Sequence, residues 1–169
     1  MMIKRLFLFA TRDSAMLLNP LQPAFALAVR LWVAWQFLKS GWLKVTSWDT
    51  TLFLFENEYR VPLLPSDLAA VAGTAGELVF PVLLALGLFG RLSAAGLFAV
   101  NVMAVVSYAH VLLSPGFEAA LAQHYLWGFM LLALFVYGPG TLSLDYWLTA
   151  RADMRAGGRA LPPRGAIAI

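Results

Sequence analysis

The stretch that decides the fold is residues 68–113, LAAVAGTAGELVFPVLLALGLFGRLSAAGLFAVNVMAVVSYAHVLL, two apolar runs joined by Gly90 and Arg91. A membrane-spanning helix needs about 20 mostly apolar residues, and each run has that length. A turn this short places the two helices side by side and antiparallel. Outward from the hairpin, the same length test finds a helix before it and another after it. The four are expected at about residues 23–43, 68–89, 92–113 and 124–144. The reading is an all-α integral membrane protein, an up-and-down four-helix bundle spanning residues 23–148.

Composition agrees. Of 169 residues, 61% are hydrophobic and 12% charged, and the mean hydropathy is +0.76, whereas a soluble domain carries about a quarter charged residues. The net charge of +3 is spread over the ends of apolar runs rather than gathered in a patch, which argues against nucleic acid as a partner. Cysteine is absent, so disulfides, thiolate nucleophiles and Cys-ligated zinc or iron-sulfur centres are excluded. No glycine-rich phosphate loop, helical zinc motif or Cys/His dyad is present. Neither an internal repeat nor a polar pathway suggests a channel or transporter.

Lys and Arg set the expected orientation, because short loops rich in them stay cytoplasmic. Lys4, Arg5 and Arg12 precede the first helix, Arg91 sits in the hairpin turn, and Arg151, Arg155, Arg159 and Arg164 follow the last. Both termini are therefore expected in the cytoplasm, with the protein in a bacterial-type inner (plasma) membrane. Lys4-Arg5 and the apolar run after them begin like a secretory leader, but Arg12 and Asp13 interrupt that run. Residues 1–22 are read as a cytoplasmic tail. Residues 149–169 are rich in Arg, Gly and Pro and are read as a disordered basic tail. Trp42 and Trp48 on one side, Tyr146 and Trp147 on the other, fit interfacial belts.

Between the first two spans, Trp48, Leu52, Phe55 and Tyr59 recur at helical spacing, which predicts a short amphipathic helix in the interface. Pro62 and Pro65 end it, and Ser66 or Asp67 is placed to cap the next helix. Trp48 and Phe55 are candidates for docking a partner protein.

Three spans carry polar groups at depth. Arg30 and Glu77 lie inside the first two, and a charge at the bilayer centre costs at least about 2.5–3.5 kcal/mol. Their expected depths differ by about 9 Å at 1.5 Å per residue, a gap that an extended Arg bridges, as a direct or water-bridged pair. Pro81 opens the helix at the carbonyl of Glu77, and Gly73 and Thr74 let a partner approach on the same face. Asn101 and Tyr108 share a face of the third span. Arg30, Glu77, Asn101 and Tyr108 form the candidate intramembrane site, suited to a quinone head group or to proton transfer. The alternative is structural: an ion pair that sets helix register and an Asn that binds helices together. His110 and His124 are candidates for a proton or ligand site at the outer boundary. Without a third ligand better than Glu118, the sequence argues against haem or metal.

Three clusters carry a family resemblance. They are Arg30 with Phe37-Leu38-Lys39-Ser40-Gly41-Trp42-Leu43-Lys44, then Glu77-Leu78-Val79-Phe80-Pro81 with Leu86-Gly87-Leu88-Phe89-Gly90-Arg91, then Gly138-Pro139-Gly140-Thr141-Leu142-Ser143-Leu144-Asp145. In order and spacing the set, covering about residues 24–147, resembles the DoxX family of small four-helix membrane proteins. The resemblance implies association with membrane redox complexes, such as thiosulfate:quinone oxidoreductase, or with metal and oxidative stress systems. Two functions follow as expectations: the membrane subunit of a quinone-linked oxidoreductase, or a non-catalytic anchor that assembles a partner protein. The lipid bilayer is the first partner in either case, and a homo-oligomer is compatible with both.

Overall fold

The computed structural model describes residues 2–10 and 14–155. Its helices are α1 (Met2–Leu8), α2 (Ser14–Leu18), α3 (Gln22–Thr46), α4 (Trp48–Asn57), α5 (Ser66–Leu86), α6 (Gly90–Ser107), α7 (Ala109–Leu112), α8 (Glu118–Tyr137) and α9 (Leu144–Arg155). Four of these are long and apolar enough to cross a membrane, the first as a continuous stretch from Ser14 through α3. Around the bundle, α3 packs on α5, α5 on α6, α6 on α8, and α8 closes on α3. This is the up-and-down arrangement the hairpin requires. No strand occurs among the described residues.

Val33, Phe37, Leu84, Leu97, Leu131 and Leu134 form the centre of the bundle. Small residues bring the backbones close, as in membrane helix pairs generally. A Cβ on Gly96 would lie 2.6 Å from the Phe80 ring, and one on Gly76 would lie 2.7 Å from Val100.

Several boundaries differ from expectation. α8 runs from Glu118 to Tyr137 rather than from 124 to 144, because Gly138 (φ 90°) and Gly140 (φ 80°) turn the chain around Pro139. At its start, Glu118 accepts from the Gly116 N–H. α6 stops at Ser107 because the Ser107 carbonyl accepts from Arg60 N–H (2.8 Å) instead of Val111, whose N–H turns to Tyr108. A loop contact distant in sequence thus breaks a helix that hydropathy reads as continuous. α5 ends in a Schellman turn, Gly87 at φ 67° and Leu88 N–H on the Leu83 carbonyl. Pro65 occupies its N-cap, so neither Ser66 nor Asp67 makes the expected side-chain cap. Residues 144–155 are helical where a disordered tail was expected from Thr149; residues 156–169, with Arg159 and Arg164, lie outside the described residues, as do Arg12 and Asp13.

The amphipathic α4 exists, but it folds onto α5 rather than presenting its apolar face. Phe55 is 9% exposed and packs with Ala69 and Ala70, flanked by Trp48, Leu52 and Tyr59. Gly73 has no side chain to exclude the Phe55 ring, which sits 3.4 Å from where its Cβ would be. Phe55, one of the two docking candidates, is therefore covered by α5, and Trp48, the other, is half-buried beside it.

Candidate functional site

Most of the buried polar residues gather towards the two ends of the bundle. At the end holding the α5–α6 turn, Arg30 is 1% exposed and among the described residues hydrogen-bonds only to backbone. Its Nη1 donates to the Pro139 carbonyl (2.5 Å), and Nη2 to those of Leu142 (2.7 Å) and, farther off, Ala85 (3.4 Å). Nε is without a partner among the described residues. Gly87 makes room, since a Cβ there would lie 2.7 Å from Nη1 and 2.4 Å from Ser143 Cβ. The other charges here do similar work. Arg91 donates to the carbonyls of Phe135 and Val136 at the end of α8. The Asp145 carboxylate accepts from Phe89 and Gly90 N–H (2.8 and 2.7 Å) at the start of α6. Cations at helix C-termini and an anion at an N-terminus complement the helix dipoles. The Asp145 bonds also offset the left-handed φ of 50° at Phe89. We call this end the clasp.

Glu77 lies elsewhere. Ala85, beside Arg30, is eight residues beyond Glu77, about 12 Å along α5, so the expected Arg30–Glu77 pair does not form. Glu77 pairs instead with Lys44 (2.5 Å), the side chains being 10% and 17% exposed. Lys44 Nζ also donates to Ser40 Oγ (2.9 Å). The pair forms because Cβ atoms lean toward helix N-termini. On antiparallel helices, Lys44 from late in α3 therefore leans toward Glu77, and Glu77 leans back. Gly41 brings the backbones together, its Cβ position lying 3.1 Å from the Glu77 carbonyl carbon. Thr74, one turn before Glu77, keeps a buried hydroxyl with no partner among the described residues.

Beside this pair is a cleft of about 240 Å³ lined by Ser40, Lys44, Ser47, Thr51, Leu54 and Tyr59. Thr51 closes one wall by donating to the carbonyls of Lys44 and Ser47. Tyr59 packs edge-to-face on Phe55 and on Tyr108. Burial raises the Tyr59 pKa above the usual tyrosine value, with further contributions from Tyr108, Glu77 and Glu58. We call this end the cleft end.

Asn101 and His124 form a third unit. Asn101 Nδ2 donates to the His124 carbonyl (2.9 Å), and its Oδ1 meets His124 Nδ1 at 2.9 Å. His124 meets Trp127 edge-to-face, and Gly128 leaves the space that the amide fills. His110 meets Tyr108 edge-to-face. It lies nine residues beyond Asn101, the residue that meets His124, and past the break between α6 and α7. No group of three His, Asp or Glu side chains among the described residues could hold a metal. Of the expected site, then, Arg30 belongs to the clasp, Glu77 and Tyr108 to the cleft end, and Asn101 to a helix contact. Sequence reasoning missed Lys44, Ser40, Thr51 and Tyr59. The spacing of Lys44 from Ser40 and the lean of its side chain were the available signals.

The DoxX family profile matches residues 25–111, just over half of the chain. The chain belongs to the DoxX family. A relative in Haemophilus influenzae is 30% identical over 126 residues, covering 70% of this chain and 80% of that protein, and is itself uncharacterized. No solved structure matches. This DoxX protein is thus a multi-pass membrane protein. The residues that carry the family resemblance from Leu86 to Arg91 and from Gly138 to Asp145, together with Arg30, converge on the clasp, while Gly41, Lys44 and Glu77 meet at the cleft end.

Proposed function

We propose that this DoxX protein is the quinone-facing membrane subunit of a redox system, with its site in the cleft at Lys44. The observation that carries the reading is the Lys44–Glu77 pair, with Lys44 in the wall of a small cleft that Ser40, Ser47, Thr51 and Tyr59 also line. At about 240 Å³ the cleft is below the roughly 300 Å³ at which pockets for drug-sized ligands begin, which suits a ring-sized head group with its tail left in lipid. Lys44 donates to a quinone oxygen from the wall. Glu77 stands behind it as countercharge and proton store. Conversion of a quinone to its quinol takes up two electrons and two protons. The electrons pass to or from a redox partner protein, and the proton exchanged at this oxygen moves through Lys44 and Glu77. The Thr74 hydroxyl beside Glu77, without a partner among the described residues, supports the reading, since such a buried polar group calls for a water, a ligand or a functional role. With both termini cytoplasmic, as the Lys and Arg distribution supports, the cleft faces the outer side of a bacterial inner membrane.

The test is photolabelling of the protein in lipid nanodiscs with an azidoquinone. Labelling within residues 40–59, competed by unmodified quinone and reduced at least tenfold in Lys44→Met, is expected. Labelling that spreads over the lipid-facing helices, or that ignores Lys44→Met in folded protein, overturns the proposal.

A further inference from the structure

A second feature of α3 lies next to the cleft and is independent of quinone binding. Lys39 is on the lipid-facing side of a membrane span, exposed. The ion pair found among the described residues is Lys44–Glu77, and Lys39 takes no part in it. Seven residues separate Lys39 from the end of α3 at Thr46, about 10 Å along the helix, and Trp42 is one turn nearer that end. The cation lines an open groove of about 640 Å³ with Trp35, Leu38, Trp42, Thr46 and Leu78. Trp35 and Trp42 are 59% and 67% exposed.

A lysine at this depth keeps its stem in apolar surroundings and needs an anion or water for its head. Lipid tails supply neither, whereas an anionic lipid headgroup supplies the charge and an acyl chain together. The Trp42 indole, one turn nearer the helix end than Lys39, fits the same occupant. The groove is apolar along its length and cationic at one point, as a phospholipid is apolar along its chains and anionic at its head.

We infer that the groove is a binding site for an anionic phospholipid, its phosphate on Lys39 and one acyl chain between Trp35, Trp42 and Leu78. Native mass spectrometry of the full chain, released from nanodiscs of mixed phosphatidylglycerol and phosphatidylcholine, is the first measurement. At least a threefold preference for retained phosphatidylglycerol is expected. Lys39→Gln abolishes the preference and Lys39→Arg keeps it. Quenching by brominated lipids is the second measurement. Brominated phosphatidylglycerol quenches the protein more than brominated phosphatidylcholine does, and the excess disappears in Trp35→Phe/Trp42→Phe and in Lys39→Gln. Equal retention of the two lipids, a preference that survives Lys39→Gln, or a crosslink from Trp42 to a second copy of the chain overturns the assignment.

Discussion

The clasp and the cleft end both bury charge in a membrane bundle, but they answer it differently. At the clasp, Arg30, Arg91 and Asp145 hydrogen-bond to backbone carbonyls and amides at helix ends. Those groups do not titrate or change place, so the charge fixes geometry. At the cleft end, Lys44 and Glu77 answer each other through side chains beside open volume. Such a pair is held by rotatable side chains and not by fixed backbone groups. A buried ionisable residue in a membrane therefore implies function only after its partner is known.

The difference is most exposed by attempts at rescue. Arg30→Met leaves the Pro139 and Leu142 carbonyls without donors, at about 1–3 kcal/mol for each unsatisfied group. We expect a total loss of about 3–5 kcal/mol in unfolding from mild detergent. Because the partners are backbone, no second side-chain substitution should restore it. Gly87→Val should fail comparably, since its side chain would overlap Arg30 and Ser143 and its φ is positive.

Lys44→Met alone strands a buried carboxylate and is expected to cost about 3 kcal/mol. The double variant Lys44→Met/Glu77→Gln should recover most of that stability, because a neutral pair no longer carries a desolvation cost. Failure of this double variant to recover would make the cleft end a second clasp. Smaller effects sharpen the contrast. Asp145→Asn keeps the shape and removes the charge at the α6 N-terminus, for about 1 kcal/mol. Asn101→Ala should cost about 0.6–2 kcal/mol, the range for interhelical side-chain bonds in membranes, and should leave quinone photolabelling unchanged.

The smallest effect is one of pH. Tyr59 has a folded pKa above its unfolded value of about 10, chiefly from burial. Its contribution to stability is complete below pH 10 and is lost as pH rises through the folded value. Tyr59→Phe should therefore flatten the alkaline decline in stability while leaving the neutral-pH value nearly unchanged, as followed by unfolding at stepped pH.

Much of this was legible along the chain. Hydropathy found the four spans, Gly90-Arg91 found the hairpin, and the aromatic period from Trp48 to Tyr59 found α4. Glycines 138 and 140 around Pro139 could be read as a break, which in the structure falls at Tyr137. The site was read only in part, because Glu77 stood out as the acid of its span while its partner was misassigned. Depths counted from assumed helix starts left Arg30 and Glu77 within reach of each other. The actual register puts Arg30 level with the end of α5 and Lys44 within reach of Glu77.

What the sequence determined is what depends on local pattern: helix lengths, the hairpin, and the presence of charge at depth. Only the tertiary structure decided which charges meet. Pairing depends on helix register, and register is set by contacts between residues far apart in the chain. Gly41 against the Glu77 backbone, Arg60 on the Ser107 carbonyl, and Arg30 on the carbonyls of Pro139 and Leu142 are such contacts.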